Sequence, residues 1–101
     1  MPSLNVRAVR LEYLGGDVVQ FGGASIHINT MPRNCDSFKI VAQGGEVYYE
    51  MNDTVASTNS PGLVPQNAVV LEGPITGLTR LDAFGAQGVI AYVMFYREHL
   101  A

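Results

Sequence analysis

The chain has 101 residues, 48% of them hydrophobic and only 15% charged, and its formal net charge is −3. That length holds one domain, 1–101, and buries roughly two-thirds of the unfolded chain's surface, enough for one core. Six basic residues are scattered among nine acids, with Lys39 the only lysine, so the basic stripe needed for nucleic acid or for an anionic membrane surface is missing.

Residues 5–13 alternate imperfectly, with Val9, Leu11 and Tyr13 on one face and Arg10 and Glu12 on the other, which predicts a half-buried strand. Leu14-Gly15-Gly16-Asp17 predicts a turn, and residues 17–21 a short strand closed by Gly22-Gly23. Residues 25–29 alternate cleanly, Ile26 and Ile28 against Ser25, His27 and Asn29. Residues 30–36, with Pro32, Asn34 and Asp36, read as a loop.

The strongest hairpin signal follows. Strand-like runs over 38–42 and 47–50 flank Gln43-Gly44-Gly45, and glycine supplies the positive φ of tight hairpins. Residues 52–66 are rich in Asn, Asp, Ser, Thr, Pro and Gly, a loop long enough to cross from one sheet to another. Three strands are expected after it, over 68–72, 78–82 and 89–96, split by Gly73-Pro74 and by Gly85-Ala86-Gln87-Gly88. No window has helical apolar spacing free of glycine or proline. The expectation is an all-β chain: an antiparallel β-sandwich, jelly-roll-like, of about eight short strands.

Catalytic chemistry is sparse. Cys35 is the single cysteine and cannot form an intrachain disulfide; it reads as a small semi-buried residue of a reducing cytoplasm. His27 and His99 are the only histidines, too few for a cupin-like metal site, so no metal and no cofactor is expected. Asp36, Glu46, Glu50, Asp53, Glu72 and Asp82 fall at strand ends and turns, where acids solvate or form turns, and no enzyme activity is assigned to them. Tyr48 and Tyr49 are adjacent on one strand and must point to opposite faces. Tyr92, Phe95 and Tyr96 pose the same question on the last strand. The N-terminus lacks the apolar core of a signal peptide, and no run is long enough to span a bilayer, so synthesis in the cytoplasm is expected.

From Phe38 to Phe95 the chain resembles a group of small tailed-phage virion proteins. The pieces that carry the likeness, in order, are Val47-Tyr-Tyr-Glu50, Asn52-Asp-Thr-Val-Ala-Ser-Thr58, Leu63-Val-Pro65, Val70-Leu-Glu72, Leu78-Thr-Arg-Leu81 and Gly88-Val-Ile-Ala-Tyr-Val93. The resemblance implies a capsid decoration, or cement, protein or a head accessory part: a β-sandwich on the virion's capsid surface that binds the major capsid protein, often as a homotrimer. It carries no catalytic residues.

Such a protein stabilises a shell by binding the expanded lattice and not its free subunits. Residues 1–10 then serve as a possible N-terminal arm, with Arg7, Arg10 and Arg33 meeting acidic capsid surface. The loop 52–66, carrying Asp53, reaches over a neighbour, and Tyr49 and Phe95 are buried in trimer packing. The alternative is a receptor- or carbohydrate-binding module of a phage tail or head fibre, weakened by the absence of tryptophan.

Overall fold

The computed structural model describes residues 9–52 and 55–100, with Val9 and Leu100 described by their backbone alone. It is all-β. The strands are β1 (Val9–Gln20), β2 (Ser25–His27), β3 (Ser37–Gln43), β4 (Val47–Met51), β5 (Gly62–Val64), β6 (Val69–Glu72), β7 (Leu81–Gly85) and β8 (Ile90–Leu100). They form two four-stranded sheets, ordered β1-β8-β3-β6 and β2-β7-β4-β5, in which every neighbouring pair is antiparallel. This arrangement is compatible with a β-sandwich.

The core follows from the period of two. On the first sheet Val19, Phe38, Ile40, Ala42, Ala91, Val93 and Phe95 turn inward; on the second, Val47, Tyr49, Val64, Leu81 and Ala83 do. Phe38 and Tyr49 meet edge to face across the two sheets, with ring centroids 5.7 Å apart. Val89, Phe21, Ile28, Cys35 and Leu78 close the ends of the core.

Four expectations change. The turn over 14–17 is a β-bulge inside one twelve-residue strand: β1 continues past it, with the register against β8 slipping between Tyr13 and Gly15. Gly15 has φ +136°, and a Cβ on Gly16 would sit 2.8 Å from the Val93 carbonyl oxygen, so these glycines let the strand kink against β8 without leaving it.

The hairpin expected between 38–42 and 47–50 does not form. β3 pairs with β8 and β6, while β4 pairs with β7 and β5. Gly44, at φ +83°, does make the chain reverse, but the two strands then stack face to face across the core instead of pairing edge to edge. Both have alternate positions fully buried, which suits stacking.

The long segment 52–66 does not cross between sheets. It joins β4 to β5, neighbours in the second sheet, and includes β5 itself. The crossing is made by the short segment 65–68, where Asn67 adopts φ 61°. The strand expected over 78–82 begins only at Leu81, although Leu78 is buried beside it. The count is eight as expected, but only because the two strands expected over 5–13 and 17–21 are joined in β1 while β5 forms inside the segment expected to be a loop.

Candidate interface on the outer face of the first sheet

Register and alternation place every side chain of the first sheet on one of two faces. The outer face carries Leu11, Tyr13 and Val18 from β1, Tyr92, Met94, Tyr96 and Glu98 from β8, Lys39 and Val41 from β3, and Val69 and Leu71 from β6. Val18, Tyr92, Val41 and Val69 make one row across all four strands; Gly16, Met94, Lys39 and Leu71 make the next. A proper outer face on an antiparallel sheet is polar. This one is not. Among the described residues eight large hydrophobic side chains are exposed, and six of them are here: Leu11, Tyr13, Val18, Val69, Leu71 and Tyr92. Scattered exposed hydrophobics need no explanation, but a contiguous set marks a contact surface.

The face extends beyond the sandwich. β3 leaves β8 at Tyr96, and from there Val9–Glu12 and Arg97–Leu100 run on as a two-stranded ribbon. The ribbon is amphipathic. Leu11 and Tyr13 continue the apolar face, while Arg10, Glu12, Arg97 and His99 lie on the other side, where His99 Nε2 is 2.6 Å from Glu12 Oε1. Tyr13 and Tyr96 stand at the root of the ribbon. The Asp36 Oδ1 atom holds it there, accepting from the Glu98 backbone N–H at 2.9 Å.

The second sheet differs because its outer face is partly covered at the β2 edge, although Leu63 remains 41% exposed on it. The segment after β4 folds back over it: the Ala56 N–H donates to Ser25 Oγ at 3.0 Å, and Ala56 is buried. Tyr48 lies on that face beside Phe84. Asp82 also points outward there, yet is only 2% exposed, because the Arg80 guanidinium closes on both its carboxylate oxygens at 2.7 and 3.0 Å. His27 Nδ1 lies 3.4 Å from the same carboxylate. Asp82 is thus a latch for the segment before β7.

The residues expected to make contacts are not gathered by the fold. Tyr49 and Phe95 are 5% and 1% exposed and belong to the core, so the expectation that trimer packing buries them is overturned; the neighbour of Tyr49, Tyr48, is the one turned outward. Arg10 is exposed on the polar side of the ribbon, and Arg33 is exposed in the loop between β2 and β3, where it shares a depression with Arg97. Arg7, Asp53 and residues 1–8 of the expected arm lie outside the described residues. The expected burial of Leu11 and Tyr13 is also reversed: their alternation was read correctly, but the face they share looks at solvent.

Cys35 is buried, its thiol donating to the Ser37 carbonyl at 3.1 Å, and burial pushes its pKa up. The Tyr49 phenol is pushed up by burial and then by the Glu72 carboxylate. Both shifts favour the neutral, inert form. Among the described residues no three His, Cys, Asp or Glu side chains are grouped to hold a metal ion. No helix occurs among them, and so none is long and apolar enough to cross a membrane.

No family model matches the chain, and no curated protein and no solved structure is significantly similar to it.

Proposed function

We propose that this chain is a structural protein of a tailed-phage particle, a capsid decoration protein that binds the assembled head shell. The observation that carries the reading is the bare apolar face of the first sheet, which holds six of the eight exposed large hydrophobic side chains among the described residues. A surface of that kind is built for contact with protein.

The strand orders support the finer reading of a jelly roll. Eight antiparallel strands in two sheets, with the first strand beside the last and two strands adjacent in sequence never adjacent in a sheet except β4 and β5, fit the double Greek key used by viral capsid proteins and lectins. The trimer that the resemblance implies would set three copies around local three-fold positions of the shell. Decoration then stabilises the expanded lattice by mass action.

A second reading, sugar recognition at a fibre tip, is favoured by Tyr13 and Tyr92, 60% and 38% exposed on the same face. The deciding experiment mixes the purified protein with expanded heads of the phage whose genome encodes it and pellets them. Saturable co-pelleting at a fixed ratio to capsid protein is the expected result. A protein left in the supernatant that instead binds a glycan array moves the assignment to the second reading.

A further inference from the structure

The apolar face carries two ionic groups, and they are of opposite sign. Lys39 sits in the middle of β3, opposite Met94. Glu98 sits on the ribbon, opposite Leu11. Four residues of extended strand put them roughly 14 Å apart along the sheet. Neither makes an ion pair among the described residues. A face of one sign repels its own copy, and a face with no charge has no preferred orientation. This face has one charge of each sign, Lys39 in its middle row and Glu98 at its ribbon end, so it is complementary to itself when a two-fold rotation exchanges those two positions.

We propose that another copy of this chain covers the outer face of the first sheet, with Lys39 of one subunit set against Glu98 of the next. This rests on the reading of the face as an assembly surface and names its occupant.

Size argues the same way. With strands about 4.8 Å apart and outward rows about 6.8 Å apart, five rows on β1 and β8, four on β3 and two on β6 give a face of roughly 500 Å² in projection. A standard interface takes about 800 Å² from each partner, of which the apolar centre is a part and a polar rim the rest. Glu98 on the ribbon and Gln43 at the far end of β3, which accepts from the Tyr92 hydroxyl, supply polar atoms at the edge of the same face. Single-sign partners fit less well. A lone lysine cannot hold an anionic surface, and a single glutamate cannot select a cationic one. Nor does the described surface offer a second apolar patch that would let copies add without end: the remaining exposed hydrophobics are Val55 and Leu63. The assembly is therefore closed.

The test is the mass of the purified protein by light scattering, at about 100 µM and in dilution, since interfaces of standard size range from micromolar to picomolar. A mass of two chains of 10.9 kDa each is expected, because a two-fold contact closes at two copies. Lys39→Glu and Glu98→Lys should each weaken association about tenfold, and the double variant should return it to within about threefold of the original. Leu71→Asp and Val18→Asp, both at exposed positions, should give monomers with an unchanged far-ultraviolet spectrum. A monomeric original protein, or an oligomer indifferent to all four substitutions, overturns the inference. Shell binding is scored separately. A monomer that co-pellets with heads sinks this inference and leaves the decoration reading standing; an oligomer that ignores heads does the reverse.

Discussion

Tyr13 and Tyr96 face each other across β1 and β8 on the outer face of the first sheet, their ring centroids 5.8 Å apart and their planes at 62°. Directly opposed aromatic pairs of this kind add stability to a strand pair beyond simple burial. Tyr13 is nonetheless 60% exposed. The pair stiffens the point where four strands become two and presents apolar surface there. It is one instance of the general property of this face: side chains chosen for a core, placed where solvent is.

Core and outer face should therefore respond oppositely to substitution. Phe38 is fully buried and links the two sheets through Tyr49, so Phe38→Ala should cost about 3–5 kcal/mol. Val18→Thr, at a position 61% exposed, should change the stability of the separate subunit by no more than about 0.5 kcal/mol. Denaturant titrations in dilute solution measure both. Equal losses would mean that the face is covered within the subunit.

The bulge in β1 depends on two glycines. A Cβ on Gly16 would lie 2.8 Å from the Val93 carbonyl oxygen, which is backbone and cannot move aside, so Gly16→Ala should cost about 1–3 kcal/mol. Gly22 has open space around its Cβ position and no positive φ. Gly22→Ala should be neutral or stabilising, by about 0.4–1 kcal/mol at most. Thermal unfolding of the two variants side by side distinguishes a required bulge from a tolerant loop.

Asn52 ties the segment before β7 to the end of β4. At φ 60°, its Oδ1 accepts from the Thr79 N–H at 2.7 Å, the Thr79 hydroxyl at 3.0 Å and the Arg80 N–H at 3.1 Å, and its Nδ2 donates to the Gly77 carbonyl. Asn52→Ala loses all four bonds and puts at that φ a residue that tolerates it less well than asparagine, for a cost of about 2–3 kcal/mol. Asn52→Asp keeps the acceptor and loses only the donor to Gly77, and should cost less. Hydrogen exchange at the Thr79 and Arg80 amides reports the same order.

Alkaline pH should unfold the protein through two buried groups. Burial raises the Cys35 thiol above its ordinary 9.0 and the Tyr49 phenol above its ordinary 10.0, the latter aided by Glu72. The folded chain then holds these protons more tightly than the unfolded chain does. Their contribution is complete below pH 9.0 and is lost as pH rises past the unfolded values and through the folded ones. The melting temperature should fall more steeply above that pH in the original protein than in a Cys35→Ala, Tyr49→Phe double variant. Parallel slopes would show that neither group contributes.

Much of this architecture is legible in the residues themselves. Period-two runs around Ile40, Val47, Val70 and Val93 specify strands because side chains alternate across a pleated backbone, whereas Gly15-Gly16 suggested a break where β1 runs on and the polar residues around Leu63 hid β5. What those patterns cannot carry is the identity of each strand's neighbour. The reversal at Gly44 is the same whether β3 and β4 pair or stack, and only the competing partners, β8 and β6 for one and β7 and β5 for the other, decide it. The same limit governs the candidate interface. Alternation puts Leu11, Tyr13, Val69 and Leu71 on one face of their strands, but which face meets the core is settled by the packing of the other sheet, fifty or more residues away in some cases. Tyr49 and Phe95 went to the core and Tyr13 and Tyr92 to the surface for that reason. Local sequence determines that a strand has two faces; the second sheet, by covering one of them, determines which is left for a partner.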